Sequence, residues 1–171
     1  MKPLFLIGFM GCGKSTWGRK LARISKLPFI DLDEKIVEET GMSIGSYFAE
    51  YGEAAFRQVE SDVLKSVSSS EAAVISTGGG APCYYDNMEW MNQTGITVYL
   101  ELPAGVLLSR LVGKEGTKRP LLAGKTNDEI LSFIEDKLAE RKPFYEQAEV
   151  VVDAMRSSPQ KLWTELLENN Q

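Results

Sequence analysis

The stretch Gly8-Phe9-Met10-Gly11-Cys12-Gly13-Lys14-Ser15-Thr16 constrains this chain more than any other. It follows an apolar run, Leu4-Phe5-Leu6-Ile7, and leads into a segment with helical spacing from Trp17 to Ile24. Strand, then G-x-x-x-x-G-K-[ST], then helix is the arrangement of a P-loop. Glycines let successive backbone N–H groups turn inward and form an anion-holding nest at a helix N-terminus. Lys14 is then placed to reach β- and γ-phosphates, and the Ser15 hydroxyl to ligate Mg²⁺. Gly11, Cys12, Gly13 and Thr16 complete the nucleotide-holding set. With every fixed position filled and both flanks correct, a glycine-rich turn that merely packs tightly is the weaker reading. The chain is expected to bind a nucleoside triphosphate.

Beyond the loop, short β-rich apolar runs alternate with helical patterns. Strands are expected at 4–7, 29–32, 73–77, 97–102 and 150–152, with helices between them, so the chain reads as βαβ units on a buried parallel sheet. Two segments look inserted into this frame. Residues 33–67 are mostly helical, with Gly41 and Ser43 as stop and cap and a further break at Tyr51-Gly52. Residues 113–125 are rich in Gly, Lys and Arg, as a lid over a phosphate site would be and as a plain surface loop would be too. A helix is expected over 127–148, kinked or broken just before Pro143, and a last amphipathic helix over 159–167.

Composition removes several classes of chemistry. At 171 residues the chain fits one domain. A formal net charge of −5 argues against a general nucleic-acid surface. An acidic protein can still carry a locally basic cleft. No apolar segment is long enough to span a bilayer and the N-terminus lacks the shape of a signal peptide. Two cysteines give no disulfide framework, so a cytoplasmic, membrane-free protein is expected. There is no histidine, which excludes His-based acid/base chemistry, catalytic triads and His metal sites. Cys12 fills a small-residue slot in the loop, and its place there predicts sensitivity to thiol reagents. No assembly signal stands out, and a monomer is the expectation.

Three further features point at a substrate. Asp31-Leu32-Asp33 ends the second expected strand, where ligands sit in open α/β sheets. In a strand the two carboxylates would share one side, about 6–7 Å apart; alternatively Asp33 would cap the following helix. Thr77-Gly78-Gly79-Gly80-Ala81 ends the third strand, where glycines let a ligand approach the backbone and its N–H donors. That strand lacks a Walker B carboxylate, so metal ligation falls to Ser15 and the Asp31 region. Among the arginines, Arg57 has Glu60 on its own helical face, and Arg57 and Arg141 could form a fork for a carboxylate. Arg119, in the 113–125 loop, could close on a transferring phosphate.

These segments together resemble the shikimate kinases over nearly the whole chain. The resemblance rests on the P-loop, Phe29-Ile30-Asp31-Leu32-Asp33, Phe48 through Glu60 with Gly52-Glu53 and Phe56-Arg57, Gly78-Gly79-Gly80, Arg119-Pro120-Leu121-Leu122, and Arg141 with Tyr145. It implies a three-layer α/β/α P-loop kinase fold with a five-stranded parallel sheet, a helical substrate-binding insert at 33–67 and a lid at 113–125. It implies Mg²⁺-dependent transfer of the ATP γ-phosphate to the 3-hydroxyl of shikimate. Asp33 would hold the ring hydroxyls and be the candidate base, and Asp31 would stand near the Mg²⁺ shell with Ser15. Arg57 and Arg141 would clamp the carboxylate, the backbone at Gly78, Gly79 and Gly80 would face the acceptor, and Lys14 and Arg119 would stabilise the moving phosphoryl group. Arg110 falls where the family often stacks adenine, with a second adenine contact near 156–159. The rivals are another small-molecule kinase of the same fold, gluconate-type or nucleoside monophosphate-type, and a GTPase-type switch, against which the absence of N-K-x-D and D-x-x-G counts.

Overall fold

Four consecutive buried residues at Leu4–Ile7 are what a strand covered on both faces requires. The computed structural model describes residues 2–68, 72–113 and 122–169. It has β1 at Leu4–Ile7, β2 at Phe29–Asp31, β3 at Val74–Ser76, β4 at Ile96–Glu101 and β5 at Val150–Asp153. They form one five-stranded sheet in the order β2-β3-β1-β4-β5, with every pairing parallel. Leu6 is opposite Ser76 on one side and Val98 on the other, so β1 lies at the centre and its carboxyl end opens into the P-loop.

Side chains alternate across this sheet with period two, and each face has its own core. Leu4, Leu6, Val74, Val98, Leu100 and Val152 pack against α1 (Lys14–Ser25), α5 (Ala104–Val112) and α7 (Pro159–Asn169). Phe5, Ile7, Ile75 and Tyr99 pack against α2 (Leu32–Thr40), α3 (Ile44–Ser68) and α4 (Asn87–Thr94). The remaining helix, α6 (Asn127–Tyr145), contributes Ile130 and Ile134 to the first core and Tyr145 to the second. This is the expected three-layer arrangement. Trp17 is buried in the first core beside Leu21, so its bulk is absorbed by packing. Among the described residues, no helix is long and apolar enough to cross a membrane.

Local chemistry sets the boundaries. Gly41 ends α2 at φ 68, and Ser43 Oγ accepts the Ser46 N–H at 3.1 Å to start α3. Gly52, at φ 82 and ψ 175, divides α3 into two helical pieces, as the Tyr51-Gly52 signal suggests. Thr126 and Glu129 cap the start of α6 reciprocally, each side chain bonding the other's backbone N–H.

Two expectations are corrected. The helix does not break before Pro143 but runs through it to Tyr145. Proline stands two residues from the helix end, and the carbonyl it leaves unbonded belongs to Ala139, an exposed residue. The Asp31-Leu32-Asp33 pair is not carried on a strand. Asp31 is the N-cap of α2, its Oδ1 accepting the Asp33 N–H at 3.1 Å, and Asp33 lies in the first helical turn. Capping falls to the earlier carboxylate, so the strand stops one residue sooner than its apolar pattern suggests.

Candidate active site

The loop between β1 and α1 owes its shape to three glycines with positive φ: Gly8 at 142°, Gly11 at 80° and Gly13 at 99°. A Cβ on Gly8 would stand 2.8 Å from the Leu100 carbonyl and 2.9 Å from Cys12 Sγ. Lys14, the first residue of α1, is buried and folds back over the loop, donating to the Gly8 and Phe9 carbonyls at 2.7 and 3.0 Å. A cleft of about 480 Å³ opens beside it, lined by the loop, Asp31, Asp33, Gly78, Gly79 and Arg110 among others. Arg110 is exposed and lies across the loop, its Nη1 donating to the Cys12 carbonyl at 3.2 Å.

Cys12 is 1% exposed and its sulfur packs against Gly8. The expected sensitivity to thiol reagents is therefore corrected: the small-residue slot encloses the thiol. Cys83, the other free cysteine, has its thiol pushed up to about 11 by burial. Neither is arranged for redox chemistry.

On the floor of the cleft, Ser15 Oγ donates to Asp31 Oδ2 at 2.8 Å and lies 3.4 Å from Ser76 Oγ. Asp31 thus serves two elements at once, capping α2 with one oxygen and holding the P-loop hydroxyl with the other. Ser76 is the last residue of β3, the strand that lacks a Walker B carboxylate. Its part in this trio was not foreseen, because a serine inside an apolar run carries no signal.

The triple glycine explains how the charged side of the site is assembled. A Cβ at Gly78 would meet Glu60 Oε2 at 2.9 Å and Asp33 Oδ1 at 3.2 Å. At Gly79 it would stand 3.2 Å from Arg141 Nη1, and at Gly80 2.6 Å from Arg57 Nη1. Each glycine makes room for a different charged side chain, so Asp33, Arg57 and Arg141 converge at the carboxyl end of β3 from α2, α3 and α6. The Tyr145 hydroxyl donates to the Gly79 carbonyl at 2.6 Å, fixing the same strip to the end of α6.

Arg57 is buried and donates from Nη1 to Glu60 Oε1 at 2.8 Å. Burial works against its charge, but the Glu60 carboxylate, together with Tyr84 and Glu53, offsets this and holds the guanidinium above its ordinary value. Burial pushes the Glu60 carboxyl up in turn, against the pull of Arg57. The i,i+3 spacing of Arg57 and Glu60 made this pair legible; the ring of Tyr84 over Arg57, at 4.2 Å, was not. Arg119 and most of the 113–125 loop lie outside the described residues.

The family model described as Shikimate kinase matches residues 10–171. The chain belongs to the shikimate kinase family. The shikimate kinase of Bacteroides fragilis is 51% identical over 152 residues, which are 88% of this chain and 84% of that one. The crystal structure of the shikimate kinase from Bacteroides thetaiotaomicron superposes with a TM-score of 0.91 at 47% identity, covering 98% of both chains. A shikimate kinase from Acinetobacter baumannii in complex with shikimate matches with a TM-score of 0.86 at 36% identity, covering 99% of this chain and 94% of that one. As a member of the shikimate kinase family, this chain is an ATP-dependent kinase acting on a hydroxyl group.

Proposed function

We propose that the chain transfers the γ-phosphate of ATP to the 3-hydroxyl of shikimate, giving shikimate 3-phosphate and ADP, a step toward chorismate and the aromatic amino acids. The observation that carries this reading is the convergence of two guanidinium groups and two carboxylates on the three glycines beside the P-loop cleft, where Glu60 is paired with Arg57 and Asp33 lines the cleft. A hydroxylated ring acid presents the complementary groups: a carboxylate for a bidentate arginine fork and hydroxyls for a carboxylate acceptor.

The roles follow from position. The P-loop amides hold the triphosphate, and Lys14 exchanges its two carbonyl partners for phosphate oxygens. Arg110 lies where it can cover the base. Arg57 and Arg141 receive the acceptor's carboxylate, and the backbone of Gly78 to Gly80 lets the ring approach closely. Asp33 orients the hydroxyl and accepts its proton as the new phosphate bond forms. Catalysis here is chiefly positioning and electrostatic stabilisation, since phosphoryl transfer asks little covalent chemistry of the protein. Arg119 completes the set on the family resemblance alone, with residues 33–67 as the acceptor-binding segment and 113–125 as the lid.

The residues present suit Mg²⁺. This ion takes one or two protein ligands and fills the rest of its octahedron with water and phosphate oxygens. Ser15 and Asp31, already 2.8 Å apart, are such a pair, and among the described residues no cluster of three or more His, Cys, Asp or Glu competes as a metal site. Bound there, the ion would neutralise charge on the β- and γ-phosphates. A coupled assay offering ATP with shikimate, gluconate or nucleoside monophosphates tests the reading. Turnover is expected with shikimate only; turnover with gluconate or a nucleotide acceptor, and none with shikimate, would reject it.

A further inference from the structure

Arg57 is held by more than its ion pair with Glu60. Its guanidinium carbon lies 4.2 Å from the Tyr84 ring centroid, 5.3 Å from that of Phe56 and 6.0 Å from that of Phe48. Its Nη2 stands 3.5 Å from Glu53 Oε1, and that same oxygen accepts a 2.9 Å hydrogen bond from the Tyr84 hydroxyl. Tyr84 and Arg57 therefore compete for one carboxylate oxygen, and Tyr84 has the closer contact. The two acids differ sharply: the Glu60 side chain is 2% exposed and that of Glu53 58%. Glu60 is an enclosed partner, whereas Glu53 is a rim group open to solvent.

Nη1 is committed to Glu60, and Arg57 Nε is buried with no hydrogen-bond partner among the described residues. Nη2 is then the donor that Glu53 touches only weakly, at a distance beyond a good hydrogen bond. The hydrogen bond from Tyr84, with the charge of Arg57 behind it, holds the Glu53 carboxyl below its ordinary value, so Glu53 is an anion at neutral pH. Tyr84 follows the 3-10 turn Ala81–Cys83 that leaves the triple glycine. The next residue, Tyr85, takes φ 50, a left-handed conformation rare for an aromatic side chain, and is itself largely exposed. The chain accepts this backbone strain immediately beside the residue that covers Arg57.

We propose that Tyr84 is a positioning residue for the acceptor's carboxylate: its ring fixes the plane of Arg57, and its hydroxyl draws Glu53 away from Nη2, leaving that donor for the substrate. This rests on reading Arg57 as the carboxylate-binding arginine. Without the hydroxyl, Glu53 closes on Nη2 and competes with the acceptor as an internal carboxylate. Without the ring, the guanidinium loses the stacking surface that orients its fork.

Steady-state kinetics with ATP and shikimate on Tyr84→Phe, Tyr84→Ala, Glu53→Gln, Arg57→Ala and the relevant doubles test this. Loss of one such restraint corresponds to about a three- to tenfold effect. Tyr84→Phe, which keeps the ring, should raise the shikimate KM by about that factor while the ATP KM and kcat stay within about twofold. Adding Glu53→Gln to it should return the KM to that of Glu53→Gln alone. Tyr84→Ala should raise the KM further, and should add nothing in an Arg57→Ala background. An unchanged shikimate KM in Tyr84→Phe, a parallel rise in the ATP KM, or no rescue by Glu53→Gln would overturn the proposal. The underlying reading fails separately: Arg57→Ala with an unchanged shikimate KM rejects it, whereas an impaired Arg57→Ala beside a normal Tyr84→Phe rejects only the role of Tyr84.

Discussion

The two halves of the candidate site are built from different material. The donor half is mostly backbone: contiguous residues between β1 and α1, shaped by left-handed glycines and closed by Lys14 on its own loop carbonyls. The acceptor half is mostly side chain, brought from α2, α3, the strip after β3 and α6 onto three glycines. A backbone nest serves any triphosphate, because every residue has an N–H to offer. A set of side chains selects one acceptor, because moving any member changes which groups can be paired. On the function proposed here, the donor half carries the reaction class and the acceptor half the substrate.

That contrast can be broken by substitutions that should act on one half only. The largest effect is expected from Lys14→Ala, which removes the buried cation of the donor half. Its kcat should fall by on the order of 10²–10³ or more, as loss of one preorganised charge-stabilising donor does, with shikimate affinity retained. Gly80→Ala should act on the other half. Its methyl would meet a guanidinium that Glu60 and three rings hold in place, so the shikimate KM should rise by about tenfold or more while ATP binding is kept. Parallel losses of both substrates in either variant would mean that the halves are not separable.

Asp31→Ala sharpens the boundary between them, since Asp31 serves both. Loss of its cap on α2 should cost about 1 kcal/mol, seen as a thermal midpoint lowered by roughly 2–5 °C. Loss of the Ser15 contact should also weaken Mg²⁺-nucleotide binding, read by titration with and without the metal. The smallest effect is expected at Glu129. The Thr126 backbone bond holds its carboxyl below the ordinary 4.5, so its contribution is present above that value and fades as pH falls through the lowered one. Glu129→Gln should lower the thermal midpoint slightly at pH 7, and the difference from the unmodified protein should shrink as the pH falls.

The same contrast explains what could be read from the sequence. The donor half is contiguous, so spacing alone identified Gly11, Gly13, Lys14 and Ser15, and both flanking elements. The sheet was legible because its strands are largely apolar, with no boundary off by more than one residue, as at Asp31 and Glu101. The acceptor half is dispersed. Asp33, Arg57 and Arg141 were only weak signals by position and spacing, and their roles came from the resemblance, since an arginine on a helix is usually a solvated one. Tyr84 and Ser76 gave no signal at all, because their meaning depends on neighbours far away along the chain. Pro143 did not end its helix because a proline near a helix end costs only a bond that water can replace.

The most direct test of this division is calorimetric titration of Arg57→Ala with a non-hydrolysable ATP analogue and, separately, with shikimate. The account predicts a nucleotide Kd within about twofold of the unmodified protein and a shikimate Kd raised by about 30-fold or more. An unchanged shikimate Kd, or an equal loss for both ligands, would contradict it.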